Sequence, residues 1–371
     1  MKIAVATGLY PPEIGGPATY AAMLETELPE RGCAVTVVPF GWVRRYPKVI
    51  RHLVYLKKLW RESKGADLIY ALDPISVGLP ALIVARLRRK PFLIRLGGDY
   101  AWEQGRVRFG LTTTLDEYLA TPEGRPLPVR LLATLQAFVV KRAKRVIAPS
   151  EYLKGVIVAW GVPKANITVI YSALHPLVVS ERRDTLREQL RYNQPTIVSA
   201  GRLVPWKGFR AVIEATAALK ETYPDIMLVI VGDGMERVSL EARAAELGIS
   251  NRVRFTGSVS KDTLGAIIKA ADIFVLNTAY EGLSHQLLEV MDLGTPIVTT
   301  PAGGNRELIV DRVTGYLVPY NDRDALVDSI SCLVDHAASR YHIAQAARLR
   351  SKDFAKDTVV DQLAEVLQDL V

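Results

Sequence analysis

Short apolar runs rich in Val and Ile recur along the chain, separated by longer stretches whose apolar residues fall at helical spacing. In the first half, Lys2 to Thr7, Val35 to Phe40, Asp67 to Ala71, Pro91 to Leu96 and Val146 to Pro149 read as strands. In the second half the strand-like runs are Thr196 to Ala200, Ile226 to Val231, Val253 to Ser258, Ile273 to Leu276 and Ile297 to Thr300. Helices are expected from about Pro17, from Val43 to Lys64, from Leu131 to Lys144, after a Ser150 cap, and over Lys261 to Ala271, Ser284 to Leu293, Asp322 to His336 and Thr358 to Leu370. Strands alternating with helices imply parallel sheets and an α/β class. A chain of 371 residues exceeds one ordinary core and suggests two domains of Rossmann size. The stretch Ile167 to Pro176 leads into a linker, which places the domains at residues 1–175 and 176–355, with a terminal segment 356–371.

Two stretches of the first half have mixed signals. Val43 to Lys64 lines up Tyr46, Ile50, Leu53, Leu56 and Trp60 along one side, with Arg44, Arg45, Lys48, Arg51, Lys57, Lys58, Arg61 and Lys64 around them and only Glu62 opposing. A helix docked on its own sheet with its lysines in water fits this pattern. A surface patch for anionic lipid headgroups fits it equally, each basic residue adding about 1 kcal/mol near such a membrane. The stretch from Ala101 to Arg130 carries Gly105, Gly110, Pro122, Gly124, Pro126 and Pro128 and reads as a long irregular loop, the kind that serves binding.

Composition narrows the class. With 49% hydrophobic and 23% charged residues the chain is a folded globular protein. Two cysteines, Cys33 and Cys332, far apart and each in apolar company, indicate neither a disulfide framework nor a thiolate metal site. No signal-peptide pattern opens the chain, and no apolar run approaches the roughly 20 residues that span a bilayer. The net charge of +8 is unevenly held: residues 1–175 have 25 Lys and Arg against 13 Asp and Glu, and the remainder 22 against 26. Such asymmetry suggests that the first half faces an anionic surface. Nucleic acid is the weaker partner, because no zinc pattern, ribonucleoprotein aromatic motif or basic-region repeat accompanies the charge.

The densest candidate chemistry lies between Ile273 and Glu307. A strand, a loop with Glu281, and a helix with Glu289 follow one another, and Gly294-Thr295-Pro296 stops the helix. Backbone amides of Gly282, Leu283 and Ser284 at the helix mouth would favour an anion or a hydroxyl-rich ligand. Taken alone, Glu281 is a helix-dipole partner, and Glu289 shares a stripe with His285 and Asp292 that could be a solvated face. Upstream, Gly201 to Phe209 runs from a strand through Arg202 and Lys207 into a helix. A forked guanidinium and a point charge so placed can clamp a diphosphate. In the first half, Gly15 and Gly16 open a helix where a ligand can approach the backbone, and Asp99 follows Gly97-Gly98 at the carboxyl end of a strand. A turn-forming role for Asp99 is equally compatible with that position.

Glu281-x7-Glu289, the Gly294-Thr295-Pro296 stop, Gly303-Gly304-Asn305-x-Glu307, and Gly201-Arg202 through Lys207 together resemble the nucleotide-binding elements of retaining GT-B glycosyltransferases of family 4. The resemblance spans nearly the whole chain and is looser in the first half. It implies two Rossmann-like, doubly wound domains facing a central cleft, acceptor on the first and nucleotide sugar on the second, with residues 356–371 crossing back to the first. It further implies that Glu281 lies beside the transferred sugar, Glu289 holds the ribose, Arg202 and Lys207 stabilise the leaving diphosphate, and Gly15 and Gly16 face the donor phosphates. Thr256 and Gly257, within Val253 to Ser258, would lie near the base. The family often has a histidine where this chain has RLGGDYAWE, so that role does not transfer and Asp99 stands as the catalytic candidate; Ser172 and Ala173 replace the usual Asn-Gly pair after Tyr171.

The expected activity is that of a hexosyltransferase moving sugar from a nucleotide-diphosphate donor to a glycan, lipid-linked or small-molecule acceptor with retained anomeric configuration. No cofactor or metal is expected, since charge on the departing diphosphate is met by cations and helix amides. The expected location is the cytoplasm, peripherally on the inner face of a membrane through Tyr46 to Lys64. A GT-B-type epimerase or phosphorylase, or a catalytically silent sugar-nucleotide-binding protein, would share these motifs.

Overall fold

The computed structural model describes residues 1–13 and 15–370, with only the backbone of Lys48 and Val49. The chain divides into two compact units, Met1–Ala173 with Lys356–Val371, and Leu174–Ala355.

The first unit is built on the strands β1 Lys2–Thr7, β2 Ala34–Pro39, β3 Leu68–Ala71, β4 Phe92–Arg95, β5 Arg145–Ala148 and β6 Ile167–Val169, in the order β2-β1-β3-β4-β5-β6. Every pairing is parallel, with Val5 opposite Val37 on one side and Tyr70 on the other. Ile3, Val5, Leu68 and Leu93 are buried within such a sheet, which is why these segments read as unbroken apolar runs. The last helix, Lys356–Gln368, completes this unit. Its Val360, Leu363 and Leu367 join Ile3, Leu24 and Leu28 in one core, and Arg31 bonds Asp361 at 2.6 Å and Asp357 at 3.2 Å.

The second unit has the strands β7 Thr196–Ala200, β8 Met227–Val231, β9 Val253–Gly257, β10 Ile273–Leu276, β11 Ile297–Thr299 and β12 Tyr316–Leu317, in the order β12-β11-β10-β7-β8-β9 and all parallel. In each sheet the strand order reverses beside the first strand, between β1 and β3 and between β7 and β10. Doubly wound sheets bind ligands at that reversal, beyond the carboxyl ends of the strands.

An ion-pair cluster anchors the start of the second unit. Asp272, 8% exposed, accepts hydrogen bonds from Arg183 at 2.7 Å, from Arg187 at 2.9 Å and from the Thr196 N–H at 2.9 Å. This ties the helix Arg183–Leu190 to the entry of β7 and β10. Asp272→Ala leaves Arg187, 20% exposed, and Arg183, 43% exposed, without their acid, and losing charged hydrogen bonds of this kind costs about 1.5 to 3 kcal/mol. A denaturant melt should show that loss; a change within about 0.5 kcal/mol, typical of surface substitutions, would contradict it.

Three readings of the first half need correction. The helix expected from Val43 begins at Lys48, after a short 3-10 turn Phe40–Val43, because Pro47 precedes it and disfavours helical geometry at Tyr46. Its buried face is Tyr55 and Leu59, whereas Ile50, Leu53 and Trp60 of the expected docking stripe are 49%, 63% and 41% exposed. The segment from Ala101 to Arg130, expected to be irregular, holds the helices Tyr100–Arg108 and Leu115–Ala120 and the start of a third, Leu127–Val140. Thr114 and Glu117 form a reciprocal capping box at the second of these. Gly105 is a packing glycine there and not a breaker, since a Cβ would press on Leu111 at 3.1 Å and Val129 at 3.3 Å. Among the described residues no helix is long and apolar enough to cross a membrane.

Candidate functional site

The loop leaving β7 carries the cations. Gly201, Arg202 and Leu203 lead into the 3-10 turn Pro205–Lys207, then Gly208 and the helix Phe209–Leu219. The loop after β8 holds it in place: the Leu203 N–H donates to the Asp233 carbonyl at 3.0 Å, and the Glu236 N–H to the Leu203 carbonyl at 3.1 Å. Gly232, at φ 131°, permits this contact, because a Cβ there would lie 2.0 Å from the Gly201 carbonyl oxygen. Thr256 and Gly257 end β9 beside the same loop, where the Gly232 N–H donates to the Gly257 carbonyl at 2.9 Å.

The loop leaving β10 lies across the strand reversal from these cations. Asn277 donates from Nδ2 to the Gly208 carbonyl at 3.0 Å and to Asn321 Oδ1 at 2.9 Å, while its Oδ1 accepts from the Asn321 N–H at 3.0 Å. Gly208 has φ 55°, and a Cβ would meet the Asn277 side chain at 2.4 Å, so no other residue fits. The Ala279 N–H donates to the Trp206 carbonyl at 2.8 Å, and the Glu281 carbonyl accepts from the Gly304 N–H at 3.1 Å. Glu281 is thereby held where its carboxylate pairs with the Lys207 ammonium, the two side chains 15% and 18% exposed. Arg202 is exposed and has no acidic partner among the described residues.

The helix His285–Leu293 follows at once. Ser284 caps it by accepting the Leu287 N–H at 3.3 Å, and Gly294 ends it in the left-handed region at φ 73°. Gly282, Leu283 and Ser284 are buried at its mouth. Glu289, one turn further on, is crowded by protein yet still reached by solvent. Burial pushes its carboxyl up to about 7, opposed by the charge of Lys261.

Nine of the expected residues thus share the carboxyl ends of the second sheet or the helix beyond: Arg202, Lys207, Thr256, Gly257, Glu281, Gly282, Leu283, Ser284 and Glu289. Gly15, Gly16 and Asp99 belong to the first unit. Gly15 caps the helix Gly16–Glu27, next to Ile14, which lies outside the described residues. Asp99, 1% exposed, caps the helix Tyr100–Arg108; its Oδ1 accepts from the Trp102 N–H at 2.9 Å and from Gln136 Nε2 at 3.1 Å, and burial raises its pKa. Sequence reasoning missed Asn277, whose signal was a polar residue ending an apolar run, and Asn321, for which no local signal exists.

A cation loop and an acid loop meeting at the strand reversal, beside a helix N-terminus, suit an anionic ligand with hydroxyls. Comparisons with known proteins agree. Residues 5–173 match the family model described as a glycosyl transferase 4-like domain, and residues 182–350 that of the glycosyl transferases group 1. The lipopolysaccharide core biosynthesis glycosyltransferase LpsE of Rhizobium meliloti is 32% identical over 47% of this chain and 49% of its own, so the match spans about half of that relative. An uncharacterised glycosyltransferase of Methanocaldococcus jannaschii is 26% identical over 94% of this chain and 93% of its own. The crystal structure of Anabaena HepE in complex with UDP superposes with a TM-score of 0.79 at 22% identity, covering all of both chains. The chain belongs to the GT-B glycosyltransferases that join a glycosyl transferase 4-like domain to a group 1 domain.

Proposed function

We propose that the chain transfers a hexose-type sugar from a nucleoside diphosphate sugar to a hydroxyl-bearing acceptor, with retained anomeric configuration and without a metal. The observation that carries this is the Lys207–Glu281 pair at the strand reversal of the second sheet, with the exposed Arg202 on the same loop as Lys207. When the bond from the anomeric carbon to the diphosphate oxygen breaks, its electron pair stays on that oxygen. Arg202, Lys207 and the amides at the mouth of the helix His285–Leu293 are preorganised to meet the charge. Glu281 then sits beside the sugar, and Glu289 accepts hydrogen bonds from the ribose hydroxyls. The acceptor belongs to the first unit, where Asp99 acts as a positioning residue through its hold on the helix Tyr100–Arg108. HepE, solved with UDP-glucose, supports the donor class. Incubation with UDP-glucose, ADP-glucose and GDP-mannose against a panel of hydroxyl acceptors tests the proposal. It expects acceptor-dependent release of the nucleoside diphosphate and an unchanged anomer; an inverted product refutes retention, and no transfer from any donor refutes the reading.

The exposed stripe of the helix Lys48–Glu62 supports a peripheral membrane location. Ile50, Leu53 and Trp60 point outward among Lys57, Arg61 and Lys64, and the Arg88 guanidinium lies 4.0 Å from the Trp60 ring centre. Amphipathic aromatic and basic side chains of this kind sit at headgroup level. In flotation, the chain should rise with anionic vesicles at low salt and stay down with zwitterionic ones, with Leu53→Ser/Trp60→Ser reducing recovery. Equal recovery with both vesicle types would remove the membrane from the account.

A further inference from the structure

The helix Ala337–Ser351 packs against the helix His285–Leu293, and its last turn carries Arg350. Arg350 is half-buried and has no acidic partner among the described residues. Its guanidinium is committed to backbone instead: Nη2 donates to the Glu307 carbonyl at 2.7 Å and Nε to the Leu308 carbonyl at 2.8 Å. Those carbonyls close the short helix Asn305–Leu308, too short for its last carbonyls to find partners within it. A cation there also meets the negative end of the helix. Leu308 is 0% exposed, so water cannot stand in for Arg350 at its carbonyl. The opposite end of the same helix reaches Glu281. Gly304 caps it, and the Gly304 N–H donates to the Glu281 carbonyl at 3.1 Å. Just upstream, Thr300 Oγ1 donates to the Thr278 carbonyl at 2.5 Å, and Asn305 Nδ2 donates to Thr299 Oγ1 and to the Thr300 carbonyl, each at 3.3 Å. Residues 299–308 therefore grip the loop after β10 on both sides of Tyr280, and Arg350 anchors their far end. The hydrogen bonds of Arg350 reach neither the Arg202–Lys207 loop nor Glu289.

We infer that Arg350 is a positioning residue for the transfer: by holding the carbonyl end of Asn305–Leu308 it fixes the Gly304 N–H, and through it the backbone of Glu281, in the geometry the reacting sugar needs. This rests on the glycosyl-transfer reading and adds to it a residue that meets no substrate. A misplacement of about 1 Å at a reacting group can cost about a hundredfold in rate, and the arginine fork gives a rigid two-point grip that lysine cannot.

The test is steady-state kinetics of the full chain, with the donor and acceptor that the wild type uses, on Arg350→Ala, Arg350→Lys and the neighbouring Arg348→Ala. Arg350→Ala should lower kcat about tenfold or more while donor KM stays within about threefold, the pattern of a misplaced reacting group and not of lost donor binding. Arg350→Lys keeps the charge but can hold only one of the two carbonyls, so it should recover part of that loss, and it carries the test where Arg350→Ala melts early. Arg348→Ala removes a charge from the same turn and should match the wild type. The decisive variant is Glu281→Ala/Arg350→Ala: if Arg350 acts through Glu281, the pair loses no more kcat than Glu281→Ala alone, whereas a merely structural contribution adds to it. Wild-type kcat in folded Arg350→Ala, an equal loss in Arg348→Ala, or a double variant that loses the product of the two single losses overturns the proposal. The amide NMR signal of Gly304 follows the same contact without turnover. It should move in Arg350→Ala and Arg350→Lys, and an unmoved signal in both also overturns the proposal. Failure of the transfer reading shows differently, as no product from the wild type while the Gly304 signal still moves.

Discussion

Lys207→Ala lowers kcat by roughly a hundredfold to a thousandfold, the cost typical of removing one preorganised donor from a site where negative charge develops. Lys207 is held in place at three levels. The 3-10 turn Pro205–Lys207 sets its backbone, the Trp206 carbonyl ties that turn to Ala279, and Glu281 pairs with its ammonium. An ammonium so placed need not reorganise as the diphosphate departs. The substitution also leaves the Glu281 carboxylate, 15% exposed, without its cation and next to the incoming phosphates, so donor KM rises as well. Arg202→Ala separates the two effects. Arg202 has no acidic partner among the described residues, so its loss removes positive charge without freeing a carboxylate. Steady-state kinetics should therefore show kcat losses in both variants and the larger rise in donor KM in Lys207→Ala. Wild-type kcat in a folded Lys207→Ala protein would refute its role.

Glu289→Ala raises donor KM by about tenfold to a hundredfold with little change in kcat, the loss expected for a charged hydrogen bond made equally in ground and transition states. Glu281→Ala should do the reverse and chiefly lower kcat, since the proposed transfer puts its contact with the reacting sugar. The two acids also differ in pH response. The folded pKa of Glu289, about 7, lies above its ordinary carboxylate value. The folded state therefore binds a proton more readily than the unfolded one between the two values, and this residue's stability contribution is present at low pH and lost as pH rises through 7. Ribose binding runs the other way. The ionised carboxylate is the better acceptor for two hydroxyls, so donor KM should fall as pH rises through 7 and level off above it. Glu289→Ala should flatten that profile and raise stability at high pH. A wild-type KM profile flat across pH 7 would refute the assignment.

How much of this was legible in the sequence depends on the range of the interaction. Buried parallel strands announced themselves, because Ile3 to Ala6 or Ile273 to Leu276 must be apolar on both faces. Gly201 to Lys207 and Glu281 to Glu289 were legible too, since strand, loop and helix follow one another within a few residues. The segment from Ala101 to Arg130 was not. Its glycines and prolines carry the local signature of a loop, but Gly105 is there for helix contact and Pro126 and Pro128 stand at a helix start. Helical spacing located the apolar side of Lys48–Glu62 but not which side the sheet would take; Tyr55 and Leu59 won because the Tyr55 hydroxyl reaches the Val38 carbonyl at 2.7 Å. Pairs such as Asn277 with Asn321, or Arg350 with Glu307, join positions far apart in the chain that no local pattern connects.

The central claim is that the second unit binds a nucleoside diphosphate between the Arg202–Lys207 loop and the Glu281 loop with the helix His285–Leu293 that follows it. Isothermal titration of the full chain with UDP, GDP and ADP tests it most directly. The account predicts that at least one binds at one site per chain, and that Lys207→Ala and Glu289→Ala each weaken that binding about tenfold or more while remaining folded. Absence of binding by all three, or undiminished affinity in both variants, would contradict it.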